Sequence, residues 1–87
     1  MEKVAFISGA NRGIGFETAK KLAEKGIKVI LGSRDLNKGK DALQKLSSKG
    51  FDVDLVQYDA FDPESPQRVY DHIDKNYQKL DILINNA

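Results

Sequence analysis

The chain has 87 residues, which is enough for one small domain and no more. Its 14 basic and 13 acidic residues nearly cancel, so its charge gives no overall attraction to nucleic acid or to an anionic membrane. It contains no cysteine and one histidine, which excludes a disulfide framework and argues against a zinc or haem site. No apolar run approaches the ~20 residues that span a membrane, and Met1-Glu2-Lys3 leads into a predicted strand without a signal peptide. We therefore expect a cytoplasmic protein of one domain, residues 1–87, with no nucleic acid, membrane or metal partner.

Strands and helices are predicted to alternate along the whole chain, because short apolar runs alternate with segments of helical periodicity. The four predicted strands are Lys3–Ser8, Lys28–Gly32, Asp52–Gln57 and Asp81–Asn85. The three predicted helices are Gly13–Lys25, a second from the cap Asp35 to Gly50, and a third that opens at Asp62-Pro63-Glu64. This alternation predicts an α/β fold of the type βαβαβαβ.

The apolar spacing within each helix predicts which residues face the sheet. These residues are Ile14, Thr18, Ala19, Leu22 and Ala23 in the first helix, Leu36, Gly39, Leu43 and Leu46 in the second, and Val69, Tyr70, Ile73 and Tyr77 in the third. The first two helices should cover one face of the sheet and the third helix the other. His72 is expected on the surface, and the lysines from Lys38 to Lys49 alternate with acids as on a solvated helix face.

The crossover connections predict a parallel sheet, because they are right-handed. The expected strand order is 3-2-1-4, with a ligand crevice at the carboxyl ends of strands one and four. The segments Ser8–Gly15 and Asn85–Ala87 follow those two strands, so both should lie at the crevice.

The segment after the first strand is a glycine-rich turn, Gly9-x-x-x-Gly13-x-Gly15. Gly9 allows a sharp turn, Gly13 allows a pyrophosphate to approach the backbone, and Gly15 allows the helix to pack closely. The free N–H groups of the helix then point at the phosphates. Because the turn lies between a clear strand and a clear helix, it predicts dinucleotide binding and not an ordinary βα turn.

These residues resemble the short-chain dehydrogenase/reductase family over the whole chain, from the glycine turn to Asn85-Asn86-Ala87. The likeness is greatest to the carbonyl reductase branch, in which a basic residue before the second glycine and an Arg-Asp pair after strand two are typical. The resemblance implies a Rossmann-type fold, of which the chain is the N-terminal half, a nicotinamide cofactor and hydride transfer to or from a carbonyl. It implies cofactor contacts at Gly9, Asn11, Arg12, Gly13, Ile14, Gly15, Asp59, Ala60, Asn86 and Ala87. Asp59 would meet the adenine amino group with Ala60 beside it, while Asn86 would lie near the nicotinamide-side ribose and Ala87 at the cofactor floor.

The chain departs from this family in length. In the family, the catalytic Ser, the Tyr-x-x-x-Lys pair and a supporting Asn lie beyond the position of Ala87. Tyr70 is followed four residues later by Asp74 and not by Lys. No catalytic residue is therefore assigned.

The residues after strand two favour NADP(H) over NAD(H). An NAD site has an acid at the end of this strand, whereas this chain has Ser33 followed by Arg34. A serine can donate to a 2′-phosphate and Arg34 can bind it with two charge-assisted hydrogen bonds, with Arg12 approaching from the glycine turn. Asp35 is interpreted as a helix cap in preference to a ribose contact. Arg34 as a solvated loop charge and Asp59 as a simple turn residue are the alternatives.

Three functions remain open at this point. The chain is the NADP-binding portion of a carbonyl-reducing oxidoreductase, inactive alone, or a free-standing nucleotide-binding or interaction module, or a truncated or designed half-fold without catalysis. The short apolar strand Ile82-Leu83-Ile84 would form an unpaired edge, which predicts self-association through strand four. The alternative is a marginal, partly molten monomer.

Overall fold

The computed structural model describes residues 2–86, in which four strands and three helices alternate. The strands are β1 (Val4–Ile7), β2 (Lys28–Ser33), β3 (Val53–Gln57) and β4 (Ile82–Ile84), and the helices are α1 (Gly13–Glu24), α2 (Leu36–Ser47) and α3 (Ser65–Asn76). All neighbouring strands are parallel, in the order β3-β2-β1-β4. The predicted α/β architecture and strand order are therefore confirmed.

Both faces of the central strands are covered by helices. On one face, Ile7 and Leu31 pack with Ala19 of α1 and Leu46 of α2. On the other face, Phe6, Ile30 and Val56 pack with Val69 and Ile73 of α3. Burial on both sides explains why β1 and β2 are nearly continuous apolar runs and do not alternate with polar residues.

The helices begin where local hydrogen bonds allow them to begin. The Asp35 carboxylate accepts from the N–H groups of Asn37 at 2.9 Å and Lys38 at 3.2 Å, which confirms Asp35 as the cap of α2. The predicted start of α3 is two residues too early, because α3 begins at Ser65 with Pro66 in its first turn. Asp62 instead stabilises the preceding turn, where its carboxylate accepts from the Glu64 N–H at 3.0 Å. This backbone hydrogen bond, together with contacts to Arg68, lowers the pKa of Asp62.

Three residues predicted to face the sheet are exposed instead. Ile14 is 79% exposed, Tyr70 is 64% exposed and Leu36 is 39% exposed. Val69 and Ile73 define the inward face of α3, and Tyr70 lies about 100° around the helix from Val69. Ile14 and Leu36 lie in the first turns of α1 and α2, and the inward faces of these helices are buried at Gly15, Ala19, Ala23, Gly39, Ala42 and Leu46. Small residues on these faces allow the helices to approach the sheet closely.

His72 joins α3 to β3 and is not simply a surface residue. Its Nε2 lies 2.6 Å from Oδ2 of Asp54, and the Tyr77 hydroxyl donates to the same oxygen at 2.7 Å. Burial alone would raise the pKa of Asp54, but the hydrogen bonds from His72, Tyr77 and the Leu55 N–H together hold it below its ordinary value. Burial and the Asp54 carboxylate raise the pKa of Tyr77.

Candidate functional site

Ser8 holds the carboxyl ends of β1 and β4 together. Its N–H donates to the Ile84 carbonyl at 3.0 Å, and its hydroxyl donates to Oδ1 of Asn85 at 3.1 Å. The same hydroxyl accepts from the Asn86 N–H at 2.8 Å. Ser8 is 2% exposed, so these contacts form a buried connection between the glycine turn and the segment after β4. The predicted convergence of the two segments is thus seen in the structure.

Asn86 packs directly on the glycine turn, and this packing explains two of its glycines. The Asn86 side chain donates to the Gly9 carbonyl at 3.3 Å. A Cβ on Gly9 would lie 2.8 Å from the Asn86 carbonyl oxygen, and φ of Gly9 is +63°. A Cβ on Gly15 would collide with the Asn86 amide and the Gly9 carbonyl. Any larger residue at either position would displace the segment after β4.

Gly13 has a different role from these two glycines. Its φ is +62°, which favours glycine, but no atom lies within 4 Å of the position that a Cβ would occupy. The space over the Gly13 backbone, at the N-terminus of α1, is therefore open. Open space beside free helical N–H groups fits a phosphate group.

The glycine turn forms one wall of a cleft of about 470 Å³ at the carboxyl edge of the sheet. Predicted site residues that line this binding cleft are Gly9, Asn11, Arg12, Gly13, Arg34, Asp59, Ala60 and Asn86. Residues Asp35, Lys38, Tyr58 and Phe61 line it as well. The structure thus brings together residues from the ends of all four strands.

Among the described residues, three other predicted site residues do not line the binding cleft. Ser33 is 1% exposed and its hydroxyl donates to the Asp35 carbonyl at 2.8 Å, so this hydroxyl is engaged at the start of α2. Gly15 is buried beneath Asn86, and Ile14 projects from the first turn of α1 with 79% of its surface exposed. Ala87 lies outside the described residues.

The binding cleft is lined by three cations, Arg12, Arg34 and Lys38, and by two carboxylates, Asp35 and Asp59. None of the ion pairs among residues 2–86 involves the three cations. The Arg34 carbonyl accepts from the Gln57 side chain at 3.2 Å, which fixes the backbone that carries this guanidinium. The Asp35 carboxylate faces the N–H groups of its own helix, so it does not neutralise the cations by a direct ion pair. The arrangement suits an anion.

Sequence reasoning missed Lys38, Tyr58 and Phe61 as residues of the cleft. The charge pattern places Lys38 on a solvated helix face, yet it lies in the first turn of α2, where the helix dipole disfavours a cation. That unfavourable position is the signal in the sequence that indicates an anionic partner. For Phe61, the signal is an apolar residue within the polar run Asp59–Glu64.

Asp59 is held in a tight turn at the opposite wall of the cleft. Its N–H donates to the Ser65 hydroxyl at 3.0 Å, and its Oδ1 accepts from the Phe61 N–H at 2.9 Å. Asp59 therefore stabilises this turn and also lines the cleft wall.

Neither a membrane-crossing helix nor a metal cluster occurs in the part of the chain that the structure describes. No helix within residues 2–86 is both long and apolar enough to cross a bilayer. In the same range, no three His, Cys, Asp or Glu side chains are grouped so that they could hold a metal ion.

Comparison with known proteins gives consistent matches over the whole chain. The family model of the short chain dehydrogenases matches residues 3–87. The chain is 43% identical to (+)-neomenthol dehydrogenase of Arabidopsis thaliana, over 98% of this chain and 30% of that protein. It is 40% identical to mouse carbonyl reductase [NADPH] 1, over 97% of this chain and 31% of that protein. It thus spans about 30% of the length of these curated relatives.

Solved structures give the same result. The menthone neomenthol reductase of Mentha piperita superimposes with a TM-score of 0.93 at 44% identity, over 100% of this chain and 32% of that chain. Several further reductases of this fold, at 28–33% identity, are complexes with NADP or NADPH. The strand order, the glycine turn and the family match agree, and the chain belongs to the short-chain dehydrogenase/reductase family.

Proposed function

We propose that this chain is the NADP(H)-binding portion of an oxidoreductase that reduces carbonyl compounds. The observation that carries the proposal is the set of three cations, Arg12, Arg34 and Lys38, that line the binding cleft without ion-pair partners among residues 2–86. Membership of a family with NADPH-dependent reductases supports the same function. When bound, the nicotinamide group would supply a hydride to a carbonyl carbon.

The residues present fit a dinucleotide phosphate. The pyrophosphate would lie over Gly13, where no Cβ or neighbouring atom obstructs the backbone, and would accept hydrogen bonds from the first N–H groups of α1. Asn11 lies on the same turn, and its side chain would hold the turn by hydrogen bonds to backbone groups. Asn86, packed against Gly9, would orient the nicotinamide-side ribose, with Ala87 predicted beside it. Asp59 would accept from the adenine amino group.

The preference for NADP(H) follows from the charge at the end of β2. Arg34 would bind the 2′-phosphate with two hydrogen bonds, and Lys38 and Arg12 would add charge from α2 and from the glycine turn. Asp35, the one carboxylate next to Arg34, caps α2 through its Oδ1, and we assign it to this cap in preference to a ribose contact. The contact expected from Ser33 is not part of this proposal, because its hydroxyl donates to Asp35.

Titration calorimetry with NADPH and NADH tests the cofactor assignment. We expect tighter binding of NADPH, because each charge-assisted contact contributes on the order of 1.5–3 kcal/mol. Equal affinity for the two cofactors, or tighter binding of NADH, would contradict the assignment.

We further propose that these 87 residues bind cofactor without turnover. Each tyrosine is followed four residues later by an aspartate, namely Asp62 after Tyr58, Asp74 after Tyr70 and Asp81 after Tyr77, so the Tyr-x-x-x-Lys pair of the family is not present. Without such a proton donor the chain cannot protonate an alkoxide. NADPH oxidation with quinones and aldehydes should equal the control without protein. A rate above that control, abolished by Gly13→Trp, would refute this.

A free-standing nucleotide-binding module is the second candidate function. The binding cleft is formed within residues 2–86, and this favours it as a unit that binds a nucleotide by itself. A fusion of this chain to the remaining two thirds of a relative distinguishes the two candidates. Tight NADPH binding by this fusion without turnover would favour the free-standing module.

Self-association through β4 is proposed as well, with a second copy of the chain as the partner. Within residues 2–86, β4 pairs on one side only, with β1, and Leu83 is 67% exposed. Beside it lies an apolar groove of about 520 Å³, lined by Phe6, Pro66, Val69, Tyr70, Ile73, Leu80 and Leu83, among others. Unpaired edges of this kind recruit another strand.

Sedimentation equilibrium over a concentration series tests the association. Leu83→Glu should shift the equilibrium toward monomer and leave cofactor affinity unchanged. A monomer with cooperative unfolding at every concentration would contradict both the dimer and the partly molten monomer.

A further inference from the structure

Phe61 is an unusual residue in the wall of the binding cleft. It is 88% exposed, more than any other large hydrophobic side chain of the described residues. It lies between Ala60 and Asp62 and lines the same cleft as Arg12 and Arg34. A phenyl ring in this position contributes nothing to the core, but it is available to a ligand in the cleft that it lines.

The backbone that carries Phe61 is fixed by a chain of hydrogen bonds. Its own N–H donates to Oδ1 of Asp59 at 2.9 Å, and the Asp62 N–H donates to the Asp59 carbonyl at 3.0 Å. The Asp59 N–H donates to the hydroxyl of Ser65, a fully buried residue at the start of α3. The turn is thereby tied to α3 on one side and follows β3 on the other. An exposed ring on a constrained turn loses little backbone freedom when it contacts a ligand.

The residue before it leaves room for a flat ligand. Ala60 ends at its Cβ, so the wall between Asp59 and Phe61 has no bulky side chain. Tyr58 lines the same cleft, with its ring packed edge-on against Phe6 at a centroid distance of 5.8 Å. The cleft therefore combines a cationic side, at Arg12, Arg34 and Lys38, with an aromatic side. Nucleotide sites commonly pair cations for phosphate with an aromatic face for the base.

We infer that the ring of Phe61 packs on the face of the adenine and determines affinity for the base, independently of the 2′-phosphate. The inference rests on the proposed function, because it needs the nucleotide to occupy this cleft. Arg34 and Lys38 would recognise the phosphate, and Phe61 would recognise the base next to Ala60. The two contributions should then be separable with ligands that contain one or both groups.

The first test compares 5′-AMP with 2′,5′-ADP by calorimetry. Phe61→Ala should weaken the binding of both ligands by about tenfold, since stacking on one aromatic ring is worth roughly 1–3 kcal/mol. Arg34→Ala should weaken the binding of 2′,5′-ADP and leave that of 5′-AMP nearly unchanged. Phe61 is exposed, so its truncation should leave the fold intact, and circular dichroism checks this. Unchanged affinities in Phe61→Ala overturn the inference while leaving the proposed function in place.

The second test uses fluorescence, because the chain has no tryptophan. The Phe61→Trp variant carries a single indole at the cleft, and saturating 2′,5′-ADP should quench its emission. Tyr70→Trp is the matched control, since Tyr70 is 64% exposed but lines the apolar groove. Quenching in Phe61→Trp without quenching in Tyr70→Trp supports stacking.

The remaining outcomes separate the inference about Phe61 from the proposed function. Equal responses from the two tryptophan variants, or no response from Phe61→Trp while calorimetry shows binding, contradict a role in base binding. Emission from Phe61→Trp that depends on protein concentration and not on ligand would overturn the inference and assign the ring to self-association. If the native chain binds neither ligand, the proposed function fails as well.

Discussion

The amino ends and the carboxyl ends of the parallel strands, here called the amino edge and the carboxyl edge of the sheet, use charge in opposite ways. At the amino edge, Lys28 lies 2.6 Å from Asp52, and Asp54 accepts from Tyr77 beside His72. At the carboxyl edge, Arg12, Arg34 and Lys38 take part in no ion pair among residues 2–86. The charges of the amino edge satisfy one another and hold elements together, whereas those of the carboxyl edge are available to a ligand. Whether a charged side chain has a partner within the protein therefore separates structural charges from those available to a ligand better than its residue type does.

Two glycines at the carboxyl edge differ in the same way from two at the amino edge, whereas Gly13 has open space beside it. Gly9 and Gly15 lie under Asn86 at the carboxyl edge, where neighbouring atoms leave no room for a Cβ. Gly26 precedes β2 and Gly50 precedes β3, and neither has an atom within 4 Å of the position of a Cβ. These latter two serve the backbone alone, with φ of +82° and +87°.

The largest expected effect is at the carboxyl edge. Arg34→Ala should weaken NADPH binding by about 10- to 100-fold, since a hydrogen bond to a charged group is worth roughly 1.5–3 kcal/mol. Binding of NADH and the free energy of unfolding should change little, because Arg34 is exposed. Lys45→Ala, at the other end of α2, is the control for a general loss of positive charge. An equal loss for NADPH and NADH would contradict a 2′-phosphate contact.

At the amino edge, we expect a substitution to lower stability and to leave NADPH affinity unchanged. Asp54→Ala removes the acceptor of Tyr77 and His72 and should lower the free energy of unfolding by about 1–2 kcal/mol. NADPH affinity should stay the same. Urea unfolding measures the first quantity and calorimetry the second, with Asp71→Ala as the control because Asp71 accepts only from Gln67 on the exposed face of α3. Loss of NADPH binding in a folded Asp54→Ala protein would mean that the two edges are not independent.

A smaller effect is expected at Asp35, which both caps α2 and lines the binding cleft. Asp35→Ala removes the cap of α2 and should cost about 1 kcal/mol of stability. Because the cap fixes the first turn of α2, the same change should also weaken NADPH binding through Lys38, but by less than Arg34→Ala does. Asp41→Ala, in the middle of α2, should affect neither quantity. An NADPH affinity that rises in Asp35→Ala would indicate repulsion of the phosphate by this carboxylate.

The smallest effect concerns pH. The pKa of Asp54 is lowered from 3.8 in the folded state, so the unfolded chain takes up a proton first as pH falls. The stability that Asp54 contributes is therefore present above about pH 4 and is lost as pH falls through the folded pKa. Asp54→Asn should flatten the fall in unfolding free energy between about pH 5 and 3, although Asp62 and Asp81 still titrate there in both proteins. Parallel curves for the two proteins would contradict this.

Local sequence patterns predicted the order of elements, the strand order and the cap at Asp35. These features depend on periodicity, on the handedness of crossovers and on the chemistry of one turn. The phase of the helices was harder to predict. In α1, Ala19 and Ala23 lie on the predicted inward face but Ile14 is exposed, and in α3 Tyr70 lies beside the inward face that Val69 and Ile73 form.

Contacts between distant segments could not be predicted from the sequence. Asp54 and His72 are 18 residues apart, and nothing local to either residue indicates the other. Ser33 is a local case, two residues from Asp35, and it was missed because the prediction ended β2 at Gly32 whereas the strand continues through Ser33. Lys38 and Phe61 meet in the cleft only once α2 and the turn after β3 are in place.

The contact between Ser8 and Asn85 has a consequence for how the chain folds. The two residues are 77 positions apart, whereas β1 pairs with β2 across a separation of about 24. Closing the longer loop costs more entropy, so β1, α1 and β2 can associate before β4 arrives. During synthesis, the Gly9 turn then lacks the Asn86 side chain until the final residues of this segment have left the ribosome. The glycine turn thus acquires its final geometry only after β4 has paired with β1.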